Sequence, residues 1–289
     1  MKIKVYVLSS FAKSRHGGNP AGVVLDADEL EEKAMQRIAA DVGFSETAFV
    51  QKSEKADFKV RFFTPVEEVD LCGHATIAVF SLLADREKIR FGEYTQETKA
   101  GILKVEYRPD RTIFMSQCLP KFCEVIDKSE ISNSLNINEN KITGKLPAQI
   151  VSTGLRDILI PINDLETLLS IQPDFNAIKE ISKRYDVTGY HVFTMETKYN
   201  STAHCRNFAP LYDIPEESAT GTSNGALSCY LYKYGVISEN QCSKLVFEQG
   251  YSMDKPSEIL AGLYIENKSI EEVKVGGNAL KIEVKEYEF

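Results

Sequence analysis

The chain has 289 residues, 43% hydrophobic and 26% charged, the composition of a globular protein with one large domain or two ordinary ones. Forty-two acidic against 34 basic residues give a net charge of −8, and no basic cluster offsets it, which argues against a nucleic-acid partner. No apolar run is long enough to span a membrane. The opening "MKIKVYVLSSFAK" alternates like a strand rather than a signal peptide, and six scattered cysteines read as reduced thiols, so a cytoplasmic protein is expected.

In chain order, "KIKVYVLSSF" predicts a period-two strand and "PAGVVL" a short apolar one. Asp28 is placed to cap a helix bearing Leu30, Ala34 and Ile38 at four-residue spacing. "TAFVQ" and "FKVRFFT" read as strands. A helix then runs through "HATIAVFSLL", with no charge from Ala75 to Leu83, which predicts burial on all sides. "ILKVEY" and "TIFMSQ" form a hairpin around Pro109-Asp110, and Cys118-x4-Cys123 is a weak metal or disulfide signal. The polar, Asn-rich segment 127–147 is the best candidate for a domain junction.

The second half of the chain resembles the first. The first half runs "GGNPAGVVL", helix, "SETAFV", "VRFFTP", "CGHATIAVFSLL"; the second runs "STGLRDILI", helix, "GYHVFTM", "HCRNFAP", "TGTSNGALSCYLYKYG". Arg61 to Pro65 matches Arg206 to Pro210 at an offset of 145. The second apolar helix, Gly225 to Tyr234, is expected to stop at Gly235. The expected fold is therefore α+β, two similar lobes from an internal repeat. Their expected bounds are 1–118, joined by a final strand at 278–289, and 119–277.

Both apolar helices open on small residues, Cys72-Gly73-His74 in one and Thr220-Gly221-Thr222-Ser223-Asn224-Gly225 in the other. Glycine admits close approach to the backbone, and successive N–H groups at a helix start attract an anion. A single such start is explained by tight packing alone. The duplicated pair favours a ligand site, suited to a carboxylate and to negative charge that develops during proton removal.

The segments "GGNPAGVV", "FSETAFV", "EEVDLCGHATIA", "RNFAP", "ATGTSNGAL" and "VGGNA" occur in the order found in phenazine-biosynthesis PhzF-like isomerases, within the wider diaminopimelate epimerase and proline racemase fold. The resemblance runs from about Ser10 to Ala279. It implies that each lobe is a mostly antiparallel, barrel-like sheet curled around a central buried helix, with the active site between the lobes. It places the family's catalytic glutamate at Glu46, acting as a general base that takes a proton from carbon and returns it elsewhere. His74 resembles the family histidine that holds or protonates the substrate. Backbone donors at Gly73, Gly221 and Thr222 are expected to hold its carboxylate, and a homodimer is implied.

Two departures stand out. The family's second signature reads Glu-Asp-Pro-Ala-Thr-Gly-Ser, whereas this chain has "EESATGT". Glu217 replaces the aspartate, Ser218 the proline and Thr222 the serine, so the substrate geometry is expected to differ. Cys72 also fits the first position of the two-cysteine epimerases, but the repeat puts Thr220 at the second, where there is no thiol. A one-cysteine dehydratase through Cys72 stays open, as does a small-molecule binding protein without turnover. The chain lacks a phosphate loop, a dinucleotide fingerprint, spaced metal-ligand histidines and a hydrolase elbow. No cofactor or metal is expected, only a small carboxylate-bearing substrate.

Overall fold

The computed structural model describes residues 2–288. Contacts divide the chain into two compact units, one of the residues up to Ser116 together with those from Gly276 onward, the other Gln117–Val275. The positions 1 and 289 of the expected lobe lie outside the described residues.

In the first unit, β1 (Lys2–Ser10) pairs antiparallel with β2 (Asn19–Val24). Helix α1 (Glu32–Val42) buries Met35, Ile38, Ala39 and Val42 on one face and ends at Gly43, whose φ of +75° is left-handed. Strand β3 (Thr47–Gln51) lies parallel to β2 and antiparallel to β4 (Phe58–Phe63), which carries the two-residue β5 (Glu68–Val69). Helix α2 (Gly73–Asp85) follows. Then β6 (Gly92–Thr98) lies parallel to β4, and β7 (Gly101–Tyr107) and β8 (Ile113–Gln117) complete the expected hairpin.

The second unit opens with β9 (Lys121–Val125), α3 (Lys128–Leu135) and β10 (Gln149–Ser152), with β9 and β10 antiparallel. Strand β11 (Arg156–Pro161) is antiparallel to β10. Two short helices, α4 (Leu165–Ser170) and α5 (Phe175–Tyr185), lead to β12 (Gly189–Thr194), parallel to β11. β13 (Ala203–Ala209) pairs antiparallel with β12 and with β14 (Ile214–Glu217). After α6 (Gly221–Lys233), β15 (Leu245–Gln249) lies parallel to β13 and antiparallel to β16 (Ser257–Glu266). β17 (Ser269–Gly277) leads out, and β18 (Ala279–Glu288) runs antiparallel along β1 in the first unit.

The two pairing schemes coincide: antiparallel, parallel, antiparallel, antiparallel, a 13-residue helix, then a parallel and an antiparallel addition. Each also builds the same clamp. Arg61 on β4 reaches Glu68 through two guanidinium nitrogens at 2.7 and 2.8 Å and lies over the Phe63 ring. Arg206 on β13 reaches Glu216 in the same fork at 2.9 and 2.8 Å and lies over Phe208. A bidentate fork fixes orientation as well as attraction, so it pins each short strand against its neighbour.

The two apolar helices are buried nearly all round. α2 packs on β1, β2, β3 and β18, and Ala75, Ile77, Ala78, Val79, Phe80 and Leu82 are fully covered. α6 packs on β10, β11 and β16, covering Ala226, Leu227, Cys229, Tyr230 and Leu231. Burying each Leu, Ile or Phe contributes about 1.5–3 kcal/mol.

Several expectations are corrected. Asp28 does not cap α1; its carboxylate accepts from the Lys52 N–H at 2.7 Å, and the helix starts at Glu32 behind an uncapped Glu31. The segment 127–147 is no junction. Asp127 caps α3 through the Ser129 N–H, and Ile131, Leu135 and Ile142 enter the second unit's core, so its polar residues are the solvent face of a folded element. α6 starts four residues earlier than expected, at Gly221, because its small polar side chains bond back to the backbone instead of breaking the helix. Gly235 takes the left-handed conformation, φ +66°, one residue past the C-cap Tyr234. Cys118 and Cys123 are free thiols, as are the other four cysteines.

Candidate active site

The first turn of α2 carries the chemistry. Its N-cap, Cys72, is extended (φ −139°, ψ 118°), no side chain caps the turn, and no acidic residue offsets the helix dipole there. Thr76 holds the turn in place, its hydroxyl donating to the Cys72 carbonyl at 2.8 Å. The Ser10 hydroxyl donates to the His74 carbonyl at 2.6 Å. His74 is therefore fixed from strand and helix alike.

Glu46, immediately before β3, meets His74. Its Oε2 is sealed from solvent and lies 3.1 Å from His74 Nε2. Cys72 Sγ sits 3.4 Å from Nδ1 and 3.8 Å from Nε2 of the same ring. The Asn19 amide approaches Nδ1 at 3.4 Å, and the Ser45 hydroxyl approaches Nε2 at the same distance.

Burial alone would raise the Glu46 carboxyl, but the charge and hydrogen bonding of His74, with help from Ser45 and Cys72, bring it below the usual value. His74 moves the other way. Burial opposes its charge, yet Cys72 and Glu46 raise it well above an ordinary imidazole. Burial and the nearby Glu46 charge push the Cys72 thiol up to about 11. The shift at Glu46 favours its carboxylate, and that charge favours a protonated imidazole beside it.

The start of α6 has the same backbone and different side chains. Its N-cap Thr220 is extended (φ −131°, ψ 105°), again with no side-chain cap and no first-turn acid. Asn224 donates to the Thr220 carbonyl at 2.8 Å, one turn on, as Thr76 does in α2. Thr220 donates to Glu217 Oε2 at 2.7 Å, and Gln249 bridges the Glu217 carbonyl and the Thr220 hydroxyl. The Thr153 hydroxyl donates to the Thr222 carbonyl at 3.1 Å. Beneath them, Ser223 donates to the buried Asp157 at 2.5 Å and receives a bond from Asn207. Burial pushes Asp157 up to about 7, with the Ser223 hydroxyl opposing and the Glu217 charge adding to the rise.

In the first unit the structure thus brings Glu46, Cys72, Gly73 and His74 together, and in the second Glu217, Gly221 and Thr222. Asn19, Ser45, Asp157, Asn207, Ser223 and Gln249 were missed as parts of these sites. Asn19 and Ser45 stand inside the motifs "GGNPAGVV" and "FSETAFV", so their proximity to Glu46 and the glycines was the available signal. Asp157 carried a signal only in being a charged residue inside the apolar run "DILI". Asn207 stands inside the motif "RNFAP", and Gln249 carried no signal. Among the described residues, Glu46, Cys72 and His74 are also the cluster with metal-ligand spacing.

The profile of the phenazine biosynthesis-like proteins, PhzC-PhzF, matches residues 8–284. An uncharacterized isomerase of Clostridium acetobutylicum is 36% identical over 97% of this chain and 96% of its own. A trans-2,3-dihydro-3-hydroxyanthranilate isomerase of Pseudomonas fluorescens is 27% identical over 95% of each chain. The crystal structure of a Bacillus anthracis phenazine biosynthesis protein of the PhzF family superposes with a TM-score of 0.89, 31% identity and full coverage of both chains. The fold alone is shared with a hydroxyproline epimerase of Agrobacterium vitis, at a TM-score of 0.64, 12% identity and coverage of 99% of this chain and 91% of that one. Profile, relatives and fold agree: this chain belongs to the phenazine biosynthesis-like PhzC-PhzF family and is an isomerase.

Proposed function

We propose that the protein moves a proton within a small, carboxylate-bearing substrate, cyclic amino acids included, with Glu46 as the general base and acid. The observation that carries this reading is the Glu46–His74 pair at the uncapped start of α2, with Oε2 and Nε2 3.1 Å apart. A carboxylate fixed in place can take a proton from carbon and return it, and such positioned proton transfer is worth on the order of 10²–10⁴ in rate. The imidazolium of His74 stabilises negative charge as it develops and can return a proton. The backbone N–H groups of Gly73, Gly221 and Thr222 are taken as donors to the substrate carboxylate, and Glu217 as a further substrate contact. Proton transfer next to a carboxylate held this way calls for no cofactor.

The coincident pairing schemes and the duplicated arginine clamp support an internal repeat, each copy built on its own central helix. The one-cysteine dehydratase is the weaker reading, because a thiol pushed to about 11 is un-ionised at neutral pH. A homodimer belongs to the same proposal, and light scattering on the purified protein checks it.

The test is proton NMR in deuterated buffer with trans-2,3-dihydro-3-hydroxyanthranilate and a pool of cyclic and acyclic amino and hydroxy acids. Solvent deuterium entering a carbon position of one compound, with conversion to its isomer, supports the reading. Saturable binding of a compound without exchange favours a binding protein instead.

A further inference from the structure

Threonine is a favoured N-cap, its hydroxyl oxygen accepting the N–H two or three residues into the helix. Thr220 at the start of α6 does not do this. Its side chain is held instead by a fully buried glutamine at the end of β15. Gln249 Nε2 donates to the Glu217 carbonyl at 2.8 Å and to the Thr220 hydroxyl at 3.1 Å. Gln249 Oε1 accepts from the Thr220 N–H at 3.3 Å and from Asn224 Nδ2 at 2.9 Å. A carbonyl can only accept and a backbone N–H can only donate, so the amide has one orientation that satisfies both. The Thr220 hydroxyl takes the Gln249 bond and donates its own proton to Glu217 Oε2 at 2.7 Å. Both bonds run to residues outside the first turn of α6 and draw the oxygen away from it. Asn224 closes the clamp by donating to the Thr220 carbonyl at 2.8 Å. The start of α2 needs no such restraint, because its N-cap is Cys72, whose sulfur is a weak acceptor.

We propose that Gln249 is a positioning residue, which holds the Thr220 hydroxyl off the first turn of α6 and so keeps that turn's backbone donors available to the substrate carboxylate. Without Gln249 the hydroxyl is released to cap its own helix. It then takes the N–H of Thr222 or Ser223 and occupies the place of the carboxylate. The effect on substrate rests on the proposed function; the restraint on Thr220 does not.

The experiment compares wild type with Gln249→Met and with the double variant Gln249→Met/Thr220→Val. A crystal structure of Gln249→Met needs no substrate and is expected to show the Thr220 hydroxyl bonded to the Thr222 or Ser223 nitrogen. A hydroxyl still bonded to Glu217 there overturns the restraint. The exchange assay then uses trans-2,3-dihydro-3-hydroxyanthranilate, or whichever pool compound wild type turns over. KM is expected to rise about 5- to 30-fold in Gln249→Met, the size of one N-cap bond, while kcat holds, the signature of lost substrate binding rather than lost proton transfer. Removing the released hydroxyl in the double variant brings KM back toward the wild-type value. A KM that stays high or climbs further in the double variant makes Gln249 a structural support only and overturns the positioning role. A capped α6 with an unchanged KM removes its first turn as the carboxylate site. If wild type turns over no compound, the proposed function fails and the crystal structure alone decides the restraint. Gln249→Asn, whose amide is one methylene short of the clamp, makes the same tests if the methionine variant does not fold.

Discussion

The starts of α2 and α6 share a backbone and differ in every side chain that titrates. Both N-caps are extended, both first turns lack a capping side chain, and both helices bond back to the N-cap carbonyl from four residues on, through Thr76 in one and Asn224 in the other. Yet Cys72 and His74 in α2 stand where α6 has Thr220 and Thr222. The strands diverge the same way. Thr47 faces Phe63 across β3 and β4, and Tyr190 faces Phe208 across β12 and β13, so the position of Glu46 is matched by Gly189. One start sets the His74 imidazole against the Glu46 carboxyl, with Oε2 and Nε2 3.1 Å apart. The other has no titratable side chain in its first turn; Glu217 meets its N-cap Thr220, and a second acid, Asp157, lies buried underneath. Under the proposed mechanism, one helix start does acid–base chemistry and the other only holds, which two starts of the same backbone form permit because their side chains are free to vary.

The comparison breaks hardest at Gly189. A Cβ there would lie 1.9 Å from the Phe208 carbonyl oxygen, a backbone atom that cannot step aside. Gly189→Ala should therefore destabilise the protein by more than about 3 kcal/mol, beyond the ordinary cost of overpacking, and urea unfolding measures it. The copies also differ in their clamps. Arg206→Ala leaves the nearly buried Glu216 with the Ser252 hydroxyl at 2.6 Å but no counter-charge, an expected loss of about 3 kcal/mol. Arg61→Ala should cost only about 1–2 kcal/mol, because Glu68 keeps Lys99 at 2.9 Å. Equal losses in the two variants would mean that the clamps are energetically equivalent after all.

A gentler effect separates the two buried acids. Asp157 has a folded value of about 7, above its value in an unfolded chain, so the folded state binds the extra proton. The stability this lends is complete at low pH and is lost as pH rises from about 4 through 7. Glu46 is shifted down and does the reverse: its contribution is present at neutral pH and is lost as acid protonates it. Asp157→Asn should flatten the decline in melting temperature toward pH 7 and leave the acid limb in place. A decline unchanged in Asp157→Asn would show that Asp157 is ionised in the folded protein.

How much of the molecule was legible in the sequence depends on the range of the signals. The apolar run from Ala75 to Leu83, the repeated Arg-x-Phe strands and the small-residue helix starts are local patterns, and each became the element its period implies. Asp28 failed as a cap because the competing acceptor role, toward Lys52, comes from a strand more than twenty residues away. Segment 127–147 misled because its apolar residues, Ile131, Leu135 and Ile142, are few and widely spaced among asparagines, enough to anchor an element but not to show a period. Glu46 and His74 were readable as a pair only through a resemblance, since twenty-eight residues separate them. The network of Asp157, Ser223, Asn207 and Gln249 depends on three strands and a helix meeting, and no local pattern records that.

The most direct measurement is solvent deuterium exchange into a turned-over compound, comparing wild type with Glu46→Gln and Cys72→Ser. The proposed mechanism predicts exchange slowed by on the order of 10²–10⁴ in Glu46→Gln, with Cys72→Ser still active. Exchange retained in Glu46→Gln and lost in Cys72→Ser would contradict it and make the thiol at the start of α2 the group that moves the proton.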